Sequence, residues 1–142
     1  MARLYREAPL NSVWEGTANM MCMDVRRAMA RDPRTVDALF DEVRPLAAQD
    51  ARFDALVQHT QRLVHEAVKD EFLARPMTES LARVLQAAEL LRHSSQEVVD
   101  VFLGTRAPTA AGGWGSHYGT LAGTVSQAAA RSVVRRAMVT GG

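Results

Sequence analysis

The segment from Asp50 to Leu91, DARFDALVQHTQRLVHEAVKDEFLARPMTESLARVLQAAELL, carries two apolar stripes on either side of a proline. In the first half Phe53, Leu56, Val57, Leu63, Val64, Ala67, Val68 and Phe72 recur at helical spacing and keep to one face. That pattern predicts a helix over about 51–74, with Asp50 as its cap. Behind Pro76, Leu81, Val84, Leu85, Ala88 and Leu91 form a second stripe, with Thr78 in the capping position. Two long amphipathic helices joined by a tight turn pack antiparallel. The fold class that follows is all-α, an antiparallel helical bundle.

The flanking sequence supplies partners for that pair. A helix is predicted over about Thr17–Arg31, with Met20, Met21, Asp24, Val25, Ala28 and Met29 on its stripe and Pro33 ending it. Another runs over Thr35–Ala48, with Val36, Leu39, Phe40 and Val43 inward and Pro45 kinking it or cutting it short. Ser94-Ser95 interrupts the second long helix before Val98, Val99 and Phe102 continue its face. Residues 104–123, with six of the nine glycines and Pro108 as punctuation, read as a long loop. Thr124 and Gln127 have the spacing of a capping box for a last helix reaching about Val139. Residues 1–16 read as an irregular or partly helical lead. The whole chain, 142 residues, has the length of a single domain.

Composition narrows the functional classes. Aromatic and β-branched residues are sparse beside Ala, Leu, Arg and Glu, so helix is favoured over sheet. A net charge of +1 gives no bulk electrostatic case for nucleic acid or a membrane surface. The lone Cys22 excludes an internal disulfide and fits a reducing, cytoplasmic setting. No apolar run is long enough to span a bilayer, and the N-terminus lacks the apolar core of a signal peptide.

Few residues point to chemistry. No metal site is expected: His59 and His65 are six apart, on different faces of their helix. Cys22, set among methionines, reads as core. Trp114 and Tyr118 read as pins for the glycine-rich loop, which has no phosphate-loop lysine. Arg26, Arg27, Arg131, Arg135 and Arg136 have the chemistry to meet phosphates, and also that of a solvated face balanced by acids such as Asp24 and Asp41. Glu15 is the candidate base. Trp14 beside it can dry a pocket and raise the carboxylate's proton affinity. Gly16 lets the backbone pass close to a ligand, and Thr17 can cap the helix that follows.

Arg6-Glu7-Ala8, followed by Trp14-Glu15-Gly16-Thr17, resembles the segment of flavin-dependent acyl-CoA dehydrogenases that carries the catalytic base. There the pattern reads Arg-Asp-Ala, a spacer, an aromatic residue, Glu-Gly-Thr and a helix. Tyr5 through Asn11, Asn19-Met20-Met21-Cys22-Met23-Asp24-Val25 and the later Gly113-Trp114-Gly115 with Tyr118-Gly119-Thr120-Leu121 resemble the AidB-like branch of that family. Its members are linked to the adaptive response to DNA alkylation.

The resemblance implies the C-terminal helical domain of such a protein, an excised part whose N-terminal helical and middle β-domains are missing. It implies FAD as cofactor in the full-length parent and none in this chain alone. It makes Glu15 the base that removes the α-proton of an acyl-CoA while the β-hydride passes to the flavin. Trp14, Gly16, Thr17 and Asn19 match positions at the cofactor, and Arg27 matches one credited with contact to duplex DNA. Ala18 and Met21 depart from the commoner residues of the family. Family members assemble through this domain, which implies a homo-oligomer, a dimer or tetramer. The alternative functions it implies are a DNA-binding, DNA-protecting module and an oligomerisation domain without catalysis of its own.

Overall fold

A computed structural model describes residues 2–12, 17–107 and 125–138. Among these residues every regular element is helical: α1 (Ala2–Glu7), α2 (Ala18–Arg31), α3 (Arg34–Val43), α4 (Ala51–Ala67), α5 (Ala74–His93), α6 (Gln96–Arg106) and α7 (Gln127–Ala137), with short 3₁₀ turns between some of them. The fold is all-α, as the stripes predict.

Helices α4 and α5 form the antiparallel centre. Their stripes meet in two apolar clusters. One gathers Phe53 and Leu56 of α4, Val84 and Ala88 of α5, Val43 and Leu46 from α3 and its exit, and Val99 and Leu103 of α6. The other gathers Leu63, Ala67, Met77 and Leu81, with Val25 and Met29 of α2 leaning on it. Small residues at the crossing, Ala67, Ala74, Ala87 and Ala88, let the backbones approach and leave the larger side chains to fill the space. Between the clusters, the fully buried Thr60 and Ser80 hydroxyls bond each other at 2.6 Å, and Thr60 Oγ1 also donates to Leu56 O at 2.7 Å.

Polar clasps fix the other helices. Asp50 caps α4 by accepting from Arg52 N, and the Arg52 guanidinium bridges Asp50 and Asp100 at 2.6 Å each, tying α4 to α6. Arg92, near the end of α5, donates to Glu42 O at 2.7 Å and so holds the end of α3. Ala48 takes φ 65, a costly conformation for a residue with a Cβ, in the turn that brings its N–H to the Asp54 carboxylate.

The structure corrects several boundaries. The helix expected over 51–74 ends at Ala67, and a 3₁₀ turn over Glu71–Leu73 follows. Asp70 Oδ1 accepts from Phe72 N and supports that turn, which leaves Phe72 exposed rather than inward; Val68 is exposed too. Pro76 does not separate helices: it lies in the first turn of α5, where a missing N–H costs nothing. Thr78 therefore is not a cap, and its hydroxyl bonds back to Ala74 O. Leu85 faces outward. Pro45 cuts α3 short, by opening a 3₁₀ turn over Arg44–Leu46.

On α2 the buried phase is Cys22, with Val25 and Met29 partly covered, while Met20, Met21 and Ala28 face solvent. The stripe is thus rotated from the expected one, and Cys22 is core. The glycine-rich loop begins later than residue 104, because α6 carries Gly104 and Thr105 to Arg106. Ala107 then turns extended at ψ 150, the conformation that a following proline demands. The last helix is capped by Ser126, whose side chain accepts from Ala129 N, rather than by a Thr124–Gln127 box. Thr124, and the loop residues 108–124 with Trp114 and Tyr118, lie outside the described residues.

Candidate functional site

Of the residues singled out for chemistry, Thr17 and Asn19 stand at the start of α2. Trp14, Glu15 and Gly16 lie outside the described residues. Thr17 occupies the N-cap position in extended conformation, and its side chain makes no capping hydrogen bond. Its hydroxyl and the first-turn N–H groups of α2 are therefore not engaged with each other. Asn19, two residues on, is exposed, and its Oδ1 accepts from Arg75 Nη1 at 2.6 Å. Its amide N–H₂ points to no partner among the described residues, so the donor half of the side chain remains for a ligand.

The two adjacent arginines have different employments. Arg26 reaches across to the end of α4, where Nε donates to Ala67 O at 2.7 Å and Nη2 to Val68 O at 3.1 Å. A guanidinium there satisfies carbonyls that the helix leaves open and meets the negative end of its dipole. Arg27 points to solvent and, among the described residues, pairs only with Asp24 of its own helix, at 2.6 Å with both side chains more than half exposed. Such a pair holds little energy and releases its arginine readily. Arg131 and Arg135 are exposed on α7 with no ion pair among the described residues, while Arg136 donates to Ser95 Oγ. Sequence spacing gives no sign of the Asn19–Arg75 contact or of the Arg26 clasp, because both join segments far apart in the chain.

A cleft of about 530 Å³ lies beside Arg26, between α2, α3 and α4. Met29, Val36, Phe40 and Val64 supply an apolar floor, and Asp37, Gln61 and His65 stand at its edge. It was not anticipated: its floor is made of the flanks of three stripes that the core does not fully cover. His59, farther along α4, is held below the usual imidazole range, chiefly by burial. Among the described residues no group of His, Cys, Asp or Glu is arranged to hold a metal ion. None of the helices described is long and apolar enough to cross a membrane.

Comparison with known proteins gives one informative match. Over 110 residues, 75% of its length, the chain is 34% identical to AidB of Escherichia coli (strain K12), an acyl-CoA dehydrogenase homologue. The matched part is 20% of that protein, so the chain spans about a fifth of the relative's length. No family model matches the chain, and no solved structure matches it at a significant level.

Proposed function

The chain belongs with the AidB-like acyl-CoA dehydrogenase homologues and has the all-α build of their C-terminal helical domain, and from this we propose that it works as part of a larger flavin-dependent protein. The observation that carries the reading is the match to AidB along three quarters of the chain. In that parent Glu15 is the base for the α-proton of an acyl thioester. FAD, when bound, supplies the hydride acceptor.

The residues at the start of α2 fit such a cofactor. The first turn of α2, which has no side-chain cap from Thr17, the Thr17 hydroxyl and the N–H₂ of Asn19 are donors near one helix end, suited to flavin carbonyl or phosphate oxygens. Arg75 fixes the Asn19 amide, so its donor side is presented in one orientation. In this reading Trp14 would line the cofactor cavity and exclude water, which would keep the Glu15 carboxylate basic enough to take a carbon-bound proton.

The experiment is Glu15→Gln in the full-length parent, read by single-turnover flavin reduction with an acyl-CoA. The amide keeps the shape and cannot accept the proton, so the rate falls by about 10²–10⁴-fold, with flavin content unchanged. Reduction at the wild-type rate refutes the role of Glu15.

A second reading, association with duplex DNA, draws on the exposure of Arg27 and its weak tie to Asp24. It predicts binding that weakens steeply with salt, and a shallower salt dependence in Arg27→Ala. Binding that is indifferent to salt refutes it.

A further inference from the structure

The cleft beside Arg26 reaches deeper than a gap between surface helices. Two of the residues that line it, Ala67 and Met77, are buried members of the α4–α5 core. Met29 and Phe40 pack against the same cluster from α2 and α3 and are only partly covered, so each also lines the cleft. Its volume, about 530 Å³, falls within the range of small-molecule sites. The lining is apolar and polarisable: two thioethers and an aromatic ring, together with Val36 and Val64. Thioether sulfur packs favourably against aromatic rings, and ring against ring adds to the gain. Such a lining suits a flat unsaturated body better than a saturated chain.

The edge of the cleft supplies a charge. Arg26 is half-buried there and has no carboxylate partner among the described residues. Ala67 O and Val68 O accept from its Nε and Nη2, which holds the guanidinium in place and leaves Nη1 without a hydrogen bond among the described residues. A cation that is already ordered loses little freedom on meeting an anion. His65 and Gln61 line the same edge and can add donors. Asp37 opposes an anion, but it is exposed, where water and salt screen its charge.

We propose that this cleft binds a small aromatic monoanion, with its ring against Met29, Phe40 and Met77 and its anionic head at Arg26. One apolar depth and one fixed cation match a molecule with one body and one head. The guanidinium decides the sign of the head, and the thioethers and Phe40 decide that the body is a ring. This binding does not depend on the role of Glu15.

The test is isothermal titration calorimetry of the 142-residue chain with 1-naphthoate, its neutral amide 1-naphthamide, and decanoate. Naphthoate is expected to bind one per chain with a Kd of about 10–100 μM, more tightly than decanoate. Three variants locate it. Ala30→Trp fills the cleft from an exposed position on its wall and should weaken naphthoate at least about tenfold. Arg26→Gln should weaken naphthoate about tenfold or more and leave naphthamide within about twofold, a difference that a merely loosened α2 cannot produce. Asp37→Asn, on the surface, should tighten naphthoate about two- to threefold. No binding of naphthoate at about 1 mM overturns the proposal, as does binding that Ala30→Trp leaves unchanged. Equal losses of naphthoate and naphthamide in Arg26→Gln, or weaker naphthoate binding in Asp37→Asn, overturn the anionic head. Tighter binding of decanoate than of naphthoate overturns the ring.

Discussion

Replacing Thr60 with Val, Ser80 with Ala, and both together probes the polar contact at the centre of the α4–α5 crossing. Both side chains are fully buried, and their oxygens are 2.6 Å apart. Thr60 has one hydroxyl proton, and Leu56 O receives it at 2.7 Å. Ser80 must then be the donor to Thr60 Oγ1. The single substitutions are therefore unequal. Thr60→Val keeps the volume, but it strands the Ser80 hydroxyl proton in an apolar surrounding, at a cost of about 1–3 kcal/mol. Leu56 O loses little, because it still accepts the helical N–H of residue 60. Ser80→Ala removes a donor and leaves Thr60 with its own proton satisfied, so it costs about 0.5–1.5 kcal/mol. The double variant strands nothing. Its cost should fall below the sum of the singles by about 1 kcal/mol or more. Urea unfolding followed by far-UV circular dichroism reads these differences as shifts in midpoint at constant slope. Additive singles, or a Ser80→Ala cost equal to that of Thr60→Val, would refute the proton assignment.

Arg26→Ala should destabilise the chain by about 1–3 kcal/mol, since charged donors to two helix-end carbonyls are lost, whereas Arg27→Ala should stay within about 0.5 kcal/mol. Equal effects in chemical denaturation would show that Arg26 does not hold α4. Acid should loosen the α4–α6 clasp. Arg52 holds the Asp50 carboxyl below the usual range, by hydrogen bond first, and Asp100 likewise, aided by Gln96. Their folded values lie below the unfolded ones, so the contribution is complete above the unfolded pKa, about 4, and is lost as pH falls through the folded values. Thermal melts below pH 4 should therefore drop more steeply in the wild type than in Arg52→Leu; parallel curves would exclude the clasp as the cause.

The long stripes were legible because burial acts on whole helical faces. Leu56, Leu63, Leu81 and Val84 could be assigned inward from spacing alone, and each is core. Helix ends were less legible, because a proline or a serine can play several parts. Pro76 looks like a separator in sequence, yet its fixed φ and missing N–H suit the first turn of α5 equally well. Phe72 fits the α4 stripe by spacing, but Asp70 offers Phe72 N a better acceptor than another turn of helix does, and the phase is lost there. Around the candidate site, the Glu15 segment carries its own signature. The partners of Asn19 and Arg26 do not, since Arg75 and Ala67 are distant in sequence and neither residue type announces the contact.

The two clasps on α2 also set a rule for how its sequence can change. Asn19 is tied to the first turn of α5 and Arg26 to the last carbonyls of α4, two points on neighbouring ends of the central pair. Between Thr17 and Arg26 the helix advances about 14 Å, and each residue turns it about 100°. One residue added within that stretch would leave Arg26 anchored and swing everything ahead of it by more than a quarter turn. Asn19 would leave Arg75, and the chain leading into Thr17 would approach from another side. A residue added beyond Arg26, toward Pro33, would leave that geometry as it was. Length is therefore constrained ahead of Arg26 and tolerant behind it, an asymmetry visible as where insertions survive.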